Sequence, residues 1–200
     1  NLKESSTQGS SAVSAVKIDT SGVFVQRSGT RLYLISYDAA AYDYGVQDLT
    51  VLAPQVGEPS IVQIAVQRQP DTRIHVIRSD GTAAVMVFDK AEDVKCWVEI
   101  ETDGSIEDVL VMPGTIEDQV YYLVARTING ATVRYLERWA LESECQGGTL
   151  NKQADAFVDF TNGPASTTVS GLTHLVGESV VVWQDGICPA ACDGGIKTFS

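Results

Sequence analysis

Hydrophobic and polar residues alternate along most of this chain in short runs, with turn-forming residues between them. Val23-Phe24-Val25-Gln26 leads through Arg27-Ser28-Gly29-Thr30 into Arg31-Leu32-Tyr33-Leu34-Ile35-Ser36-Tyr37, which predicts strand, glycine-bearing turn, strand. Tyr37 to Tyr44 reads as a loop. Asp48-Leu49-Thr50-Val51-Leu52-Ala53 is expected to form one or two helical turns, capped by Asp48 and limited by Pro54. A second unit follows: a strand over Ile61–Gln67, a turn over Arg68–Asp71 and a strand over Arg73–Ile77. Ser79-Asp80-Gly81-Thr82 is a tight hairpin turn, and strands follow at Ala84–Phe88 and Lys95–Ile100. The third unit has a strand over Ile106–Met112, a loop over Pro113–Asp118 and a strand over Gln119–Thr127. An Asn129-Gly130 hairpin turn and a strand over Thr132–Trp139 complete it.

The turn before Arg31, the turn before Arg73 and the loop before Val120 lie 42 and 47 residues apart. A period of this size with about four strands per unit is that of a β-propeller blade. The fold expected is therefore all-β: partial propeller-like blades of antiparallel strands plus a small C-terminal β-barrel-like unit. The organisation expected is an N-terminal arm or loop over 1–15, a propeller-like domain of about three blades over 16–140, a linker over 141–155 and the small β domain over 156–200. Within the last, Val158–Phe160, Thr167–Val169, Val180–Trp183 and the stretch from Gly194 to Phe199 are the strand candidates. Three blades fall short of the four or more of a closed propeller, so their open edges call for other polypeptide to complete the sheet.

Composition narrows the functions. The 200 residues carry 26 acidic against 14 basic side chains, a formal net charge of −12. A nucleic-acid-binding module needs a basic face that displaces counterions, which this balance disfavours. Hydrophobic residues at 44% suit a globular core. No apolar stretch approaches a membrane span, and the start has neither a basic opening nor an apolar run of a signal peptide. Without an initiator Met, the chain is expected to be processed or a piece of something longer.

Candidate chemistry is sparse. Cys96 and Cys145 are isolated, whereas Cys188-Pro189-Ala190-Ala191-Cys192 is a local pair that either stays reduced or bridges. Glu99-Ile100-Glu101-Thr102-Asp103-Gly104 imitates the opening of a calcium loop, but Leu110 stands where a closing Glu is needed, so solvent-facing carboxylates on a hairpin are expected instead. Residues 99–118 hold seven acidic side chains (Glu99, Glu101, Asp103, Glu107, Asp108, Glu117 and Asp118) and no Lys or Arg. They suit a solvated edge that discourages aggregation, or a channel surface that repels a polyanion. His75 falls within an apolar strand and His174 in a turn-rich segment, so structural roles are expected for both. Trp97, Trp139 and Trp183 read as core. The sequence contains no Gly-x-Ser-x-Gly, P-loop or dinucleotide fingerprint. No catalytic, cofactor-binding or metal-binding residue is therefore assigned.

Several strings carry a resemblance: Ser21–Gly29, Asp48–Pro54, Ile74–Gly81, Arg126–Arg138 and Thr168–Glu178 followed by a strand and Asp185-Gly186. Together they resemble the tail nozzle or tail-hub proteins of short-tailed bacteriophages, also called tail tubular or DNA-stabilisation proteins. The resemblance implies a non-enzymatic virion component, made in the host bacterial cytoplasm. It would form a homo-oligomer, a hexamer in the family, below the portal and adaptor and beside tail fibre or spike proteins. Its channel would retain the genome and then conduct it during ejection, with DNA passing nearby and not specifically bound. The chain is shorter than the family's members, and the Cys188–Cys192 segment is not expected of them. Two other functions fit the same pattern. A propeller hydrolase or lyase acting on polysaccharide predicts two inward carboxylates. A receptor- or carbohydrate-binding tail module predicts an exposed aromatic platform using Tyr42, Tyr44 or Trp97.

Overall fold

A computed structural model describes residues 6–144, 171–173, 176, 179–180 and 197–198. Two compact units are present: 1–124 with 136–139, and 125–135 with 140–200. The described residues are all-β, and their sheets are not closed into a barrel.

In the first unit the strands follow one another as meanders. β1 (Val16–Ile18), β2 (Ser21–Val25), β3 (Leu32–Asp38) and β4 (Asp43–Asp48) form the first sheet in the order of the chain. After a short 3-10 turn at Pro54–Gly57 come β5 (Ile61–Gln67), β6 (Arg73–Arg78), β7 (Ala83–Asp89) and β8 (Val94–Ile100), again paired in chain order. β9 (Ser105–Met112), β10 (Gln119–Ile128) and β11 (Ala131–Arg138) make the third sheet, with β10 in the middle; the β10–β11 ribbon is shared with the second unit. This is the partial, blade-like, antiparallel arrangement that the strand spacing predicts.

The core explains why the pattern of β6 is apolar on both faces. Ile74 and Val76 join Val23, Leu32, Leu34, Ile64 and Met86 in one cluster, between the first and second sheets. Ile77 joins Ala83, Ile106, Val120, Tyr122 and Val124 in another, between the second and third. A strand sandwiched between two layers has no solvent face, so alternation gives way to a continuous buried run.

Successive sheets are tied at equivalent places. The β2–β3 turn offers the Gly29 carbonyl to the N–H of Ile61, the first residue of β5, at 2.7 Å. The β6–β7 turn offers the Gly81 carbonyl to the N–H of Ile106, at the start of β9, at 2.8 Å. Gly81 has φ +84°, and a Cβ there would stand 2.3 Å from the Ser105 Oγ. Only glycine meets both demands. β5 also lies against β1 on one side and β9 on the other, as first strands do in neighbouring propeller blades.

Three expectations change. The helical turns expected over Asp48–Ala53 are absent. The Asp48 Oδ1 does accept the Thr50 N–H at 2.7 Å, but that bond closes a turn at the end of β4. Pro54 opens the 3-10 turn and does not end one, as its fixed φ and missing N–H suit a first helical position. The 37–44 segment is a hairpin whose second strand, β4, is rich in Asp, Gly and Tyr and so escapes an apolar-alternation test. The turn before Arg31 is the second of its unit, whereas those before Arg73 and Val120 are the first of theirs, so the expected spacing puts the first unit one strand out of frame with the other two. The equivalent turns are those of Gly29, Gly81 and Gly130, 52 and 49 residues apart.

The N-terminal segment is docked where described. Ser11 donates its N–H to the Val25 carbonyl at 2.9 Å, and Val13 packs on the first core cluster. In the second unit, Glu142–Glu144 forms a single 3-10 turn within the expected linker. β12 (Ser179–Val180) pairs antiparallel with β13 (Lys197–Thr198). The other strands expected over 156–200, the barrel-like closure, His174, Trp183, Cys145, Cys188 and Cys192 lie outside the described residues.

Candidate functional site

His75 sits in the middle of β6, fully buried, so each ring nitrogen needs a partner. The Gln67 side chain decides the tautomer. Its Nε2 donates to the Gln69 carbonyl at 2.8 Å, which turns its Oε1 toward His75 Nε2 at 3.2 Å. His75 Nε2 is therefore the protonated nitrogen, and Nδ1 accepts from the Tyr122 hydroxyl at 2.9 Å. Trp139 closes the group, its ring 5.1 Å from that of His75 and 5.3 Å from that of Tyr122. Burial first, and the nearby Arg73 charge second, lower the His75 pKa to about 4. Burial pushes the Tyr122 hydroxyl up. Every hydrogen-bonding atom of the imidazole is consumed inside the protein, which makes this group a strut between β5, β6 and β10. That is the structural role expected of His75, and Trp139 is packed as expected.

The acidic stretch is not one surface. Asp118 is buried, and its Oδ2 accepts the N–H groups of Arg68 at 2.6 Å and Gln69 at 3.1 Å, fixing the turn between β5 and β6. Glu99 lies on β8, where its Oε2 meets the buried Arg78 guanidinium at 3.4 Å. Arg78 also donates from Nε to the Thr82 hydroxyl at 2.6 Å and from Nη1 to the Gln55 carbonyl at 3.4 Å. One cation thus joins the 3-10 turn, the Gly81 turn and β8. Asp80 accepts the Thr82 N–H and hydroxyl. Burial opposes its ionisation, but these bonds and Arg78 prevail and hold its carboxyl below the usual range. Asp108 receives the Gln63 amide at 3.0 Å, linking β9 to β5. Glu99 is therefore bound elsewhere than in a calcium-like loop. No group of three or more His, Cys, Asp or Glu is placed to hold a metal ion among the described residues. Of the seven acidic side chains over 99–118, Glu99, Asp108 and Asp118 tie one segment to another, while Glu101, Asp103 and Glu107 are exposed.

The aromatic platform divides. Trp97 is half-buried against the first core cluster, and its Nε1 donates to the Leu49 carbonyl at 3.0 Å, so it serves as packing. Tyr42 and Tyr44 are exposed on the β3–β4 hairpin and are joined by Tyr37, which lies outside the expected platform. Tyr37 and Tyr44 are directly paired across the strands, their rings 5.3 Å apart and edge to face. Two strands of one hairpin bring same-face residues together at fixed sums of position, a signal that was available once β4 was recognised as a strand. Cys96 is exposed on β8 as a free thiol. No helix among the described residues is long and apolar enough to cross a membrane.

Comparison with known proteins adds no relative: no family model matches the chain, and no curated protein resembles it at a significant level.

Proposed function

We propose that this chain is an architectural component of a bacteriophage tail nozzle, and not an enzyme. The observation that carries the proposal is the repeated tie between sheets, Gly29 to Ile61 and Gly81 to Ile106. Such a tie builds blades in series and gives each blade a defined angle to the next. A second observation supports it. The buried groups that ordinarily supply chemistry in a site, His75, Tyr122, Asp118 and Arg78, are each spent on holding one segment to another. A net charge of −12 suits a wall past which DNA must slide, since each phosphate contact would add friction. Homo-oligomerisation, six copies in the resembling family, with portal, adaptor and fibre proteins as neighbours, belongs to the same proposal.

Electron microscopy of the purified chain tests it. Multimeric rings with an axial opening are the expected images. Uniform single particles of one chain, together with turnover of any polysaccharide substrate, would overturn it.

A further inference from the structure

We infer that the tip of the β3–β4 hairpin is a binding site for a neutral saccharide, with Tyr37, Tyr42 and Tyr44 as the stacking surface. The inference is independent of the nozzle proposal. Three of the chain's seven tyrosines fall within eight residues of this hairpin. Tyr42 is 84% exposed, and Tyr37 and Tyr44 are each 51% exposed. Exposed aromatic faces match the apolar C–H face of a pyranose ring.

The tip is held in place. Asp38 Oδ1 accepts the N–H groups of Ala40 at 2.9 Å and Ala41 at 3.4 Å, and Asp43 Oδ1 accepts that of Tyr44 at 2.9 Å. Tyr42 has φ +52°, a left-handed conformation unusual for an aromatic residue, and one that presents its ring at the apex. Strain of this kind at an exposed, well-anchored tip accompanies binding sites.

A shallow depression open to solvent lies on the same ribbon, lined by Ser36, Tyr37, Asp38, Gly45, Val46 and Gln47. Its residues come from both faces of the ribbon. The Ser36 hydroxyl, the Asp38 carboxylate and the Gln47 amide supply donors and acceptors for sugar hydroxyls. A few polar groups beside an apolar surface is the composition of a small-ligand site. The charge selects the class. Asp38 and Asp43 flank the tyrosines in a chain of net charge −12, which repels uronic and sialic acids and admits uncharged hexoses and N-acetylhexosamines.

The test is saturation-transfer NMR and calorimetry with a panel of neutral oligosaccharides built from glucose, galactose, mannose and N-acetylglucosamine, with an oligouronate as the charged control. Saturable binding of at least one neutral glycan is expected, weakened about five- to tenfold by Tyr37→Ala and by Tyr42→Ala and little changed by Tyr44→Phe. Tyr42 is exposed enough that its substitution leaves the thermal midpoint unchanged, so loss of binding is separable from loss of fold. Three results would overturn the inference: no saturable binding to any member of the panel, binding indifferent to both alanine substitutions, or a hairpin that mediates only self-association. The first two do not bear on whether the chain forms rings.

Discussion

Acidification toward pH 4 should destabilise this protein through His75. His75 titrates at about 4 when folded and near its ordinary 6.5 when unfolded. A histidine whose folded pKa is depressed binds fewer protons than the unfolded chain between those values, so stability rises with pH across that window. The His75 contribution is complete above pH 6.5 and is lost as pH falls toward 4. Two and a half pKa units at about 1.4 kcal/mol each give about 3.5 kcal/mol in full, of which about 3 kcal/mol is lost by pH 4, where the folded imidazole is half protonated. The cause is structural: protonating Nδ1 takes away the acceptor that the Tyr122 hydroxyl uses, and puts a charge where burial allows no water. Urea denaturation followed by tryptophan fluorescence suits the measurement, because Trp139 packs against the imidazole. The wild type and His75→Gln should be compared at pH 7.5, 5.5 and 4. Net charge shrinks in both proteins as pH approaches the sequence pI of about 4.4, which eases repulsion equally. The difference between them isolates His75. It should shift against the wild type by about 3 kcal/mol between pH 7.5 and 4. A constant difference, or an NMR titration of the His75 ring with a midpoint near 6.5, would refute the burial argument.

Other outcomes follow from single joints. Gly81→Ala forces a side chain into a left-handed backbone and against Ser105, and should cost about 1–3 kcal/mol in urea denaturation, more than Gly130→Ala, which meets open space. Asp118→Ala strands two backbone N–H groups of the β5–β6 turn and should cost about 2 kcal/mol or more, with faster amide exchange at Arg68 and Gln69. Ile74→Ala, at the centre of the first core cluster, should cost about 2–5 kcal/mol in the same assay. Duplex DNA should migrate unretarded beside the chain in a gel-shift assay at low salt, since a retarded band would contradict a repelling wall.

Strands with apolar alternation and sharp turns were legible in the sequence. Ile61–Gln67 is a strand with the boundaries expected, and Asn129 and Gly130 both take positive φ, as an Asn-Gly hairpin requires. β1 and β4 were not legible. β1 has only three residues, and β4 is carried by its pairing with β3 and not by an apolar face of its own. That omission hid the frame of the repeat, although Arg27-Ser28-Gly29-Thr30 and Arg78-Ser79-Asp80-Gly81-Thr82, and Ser60-Ile61 and Ser105-Ile106, mark it in plain letters. The partners of His75 were hidden for a different reason. Gln67 and Tyr122 lie 8 and 47 residues away, a distance that only sheet pairing and sheet packing bring together. Which carboxylates of the acidic stretch turn inward was not legible, because proximity along the chain does not fix a shared face. Asp118 folds inward to cap a turn, while Glu99 reaches across β7 to Arg78 at the end of β6.

The idea that these blades are one subunit's share of a larger wall is tested most directly by native mass spectrometry of the purified chain. A discrete homo-oligomer, six copies being the number expected from the resembling family, is the predicted spectrum. A spectrum of single chains alone at every concentration would contradict it.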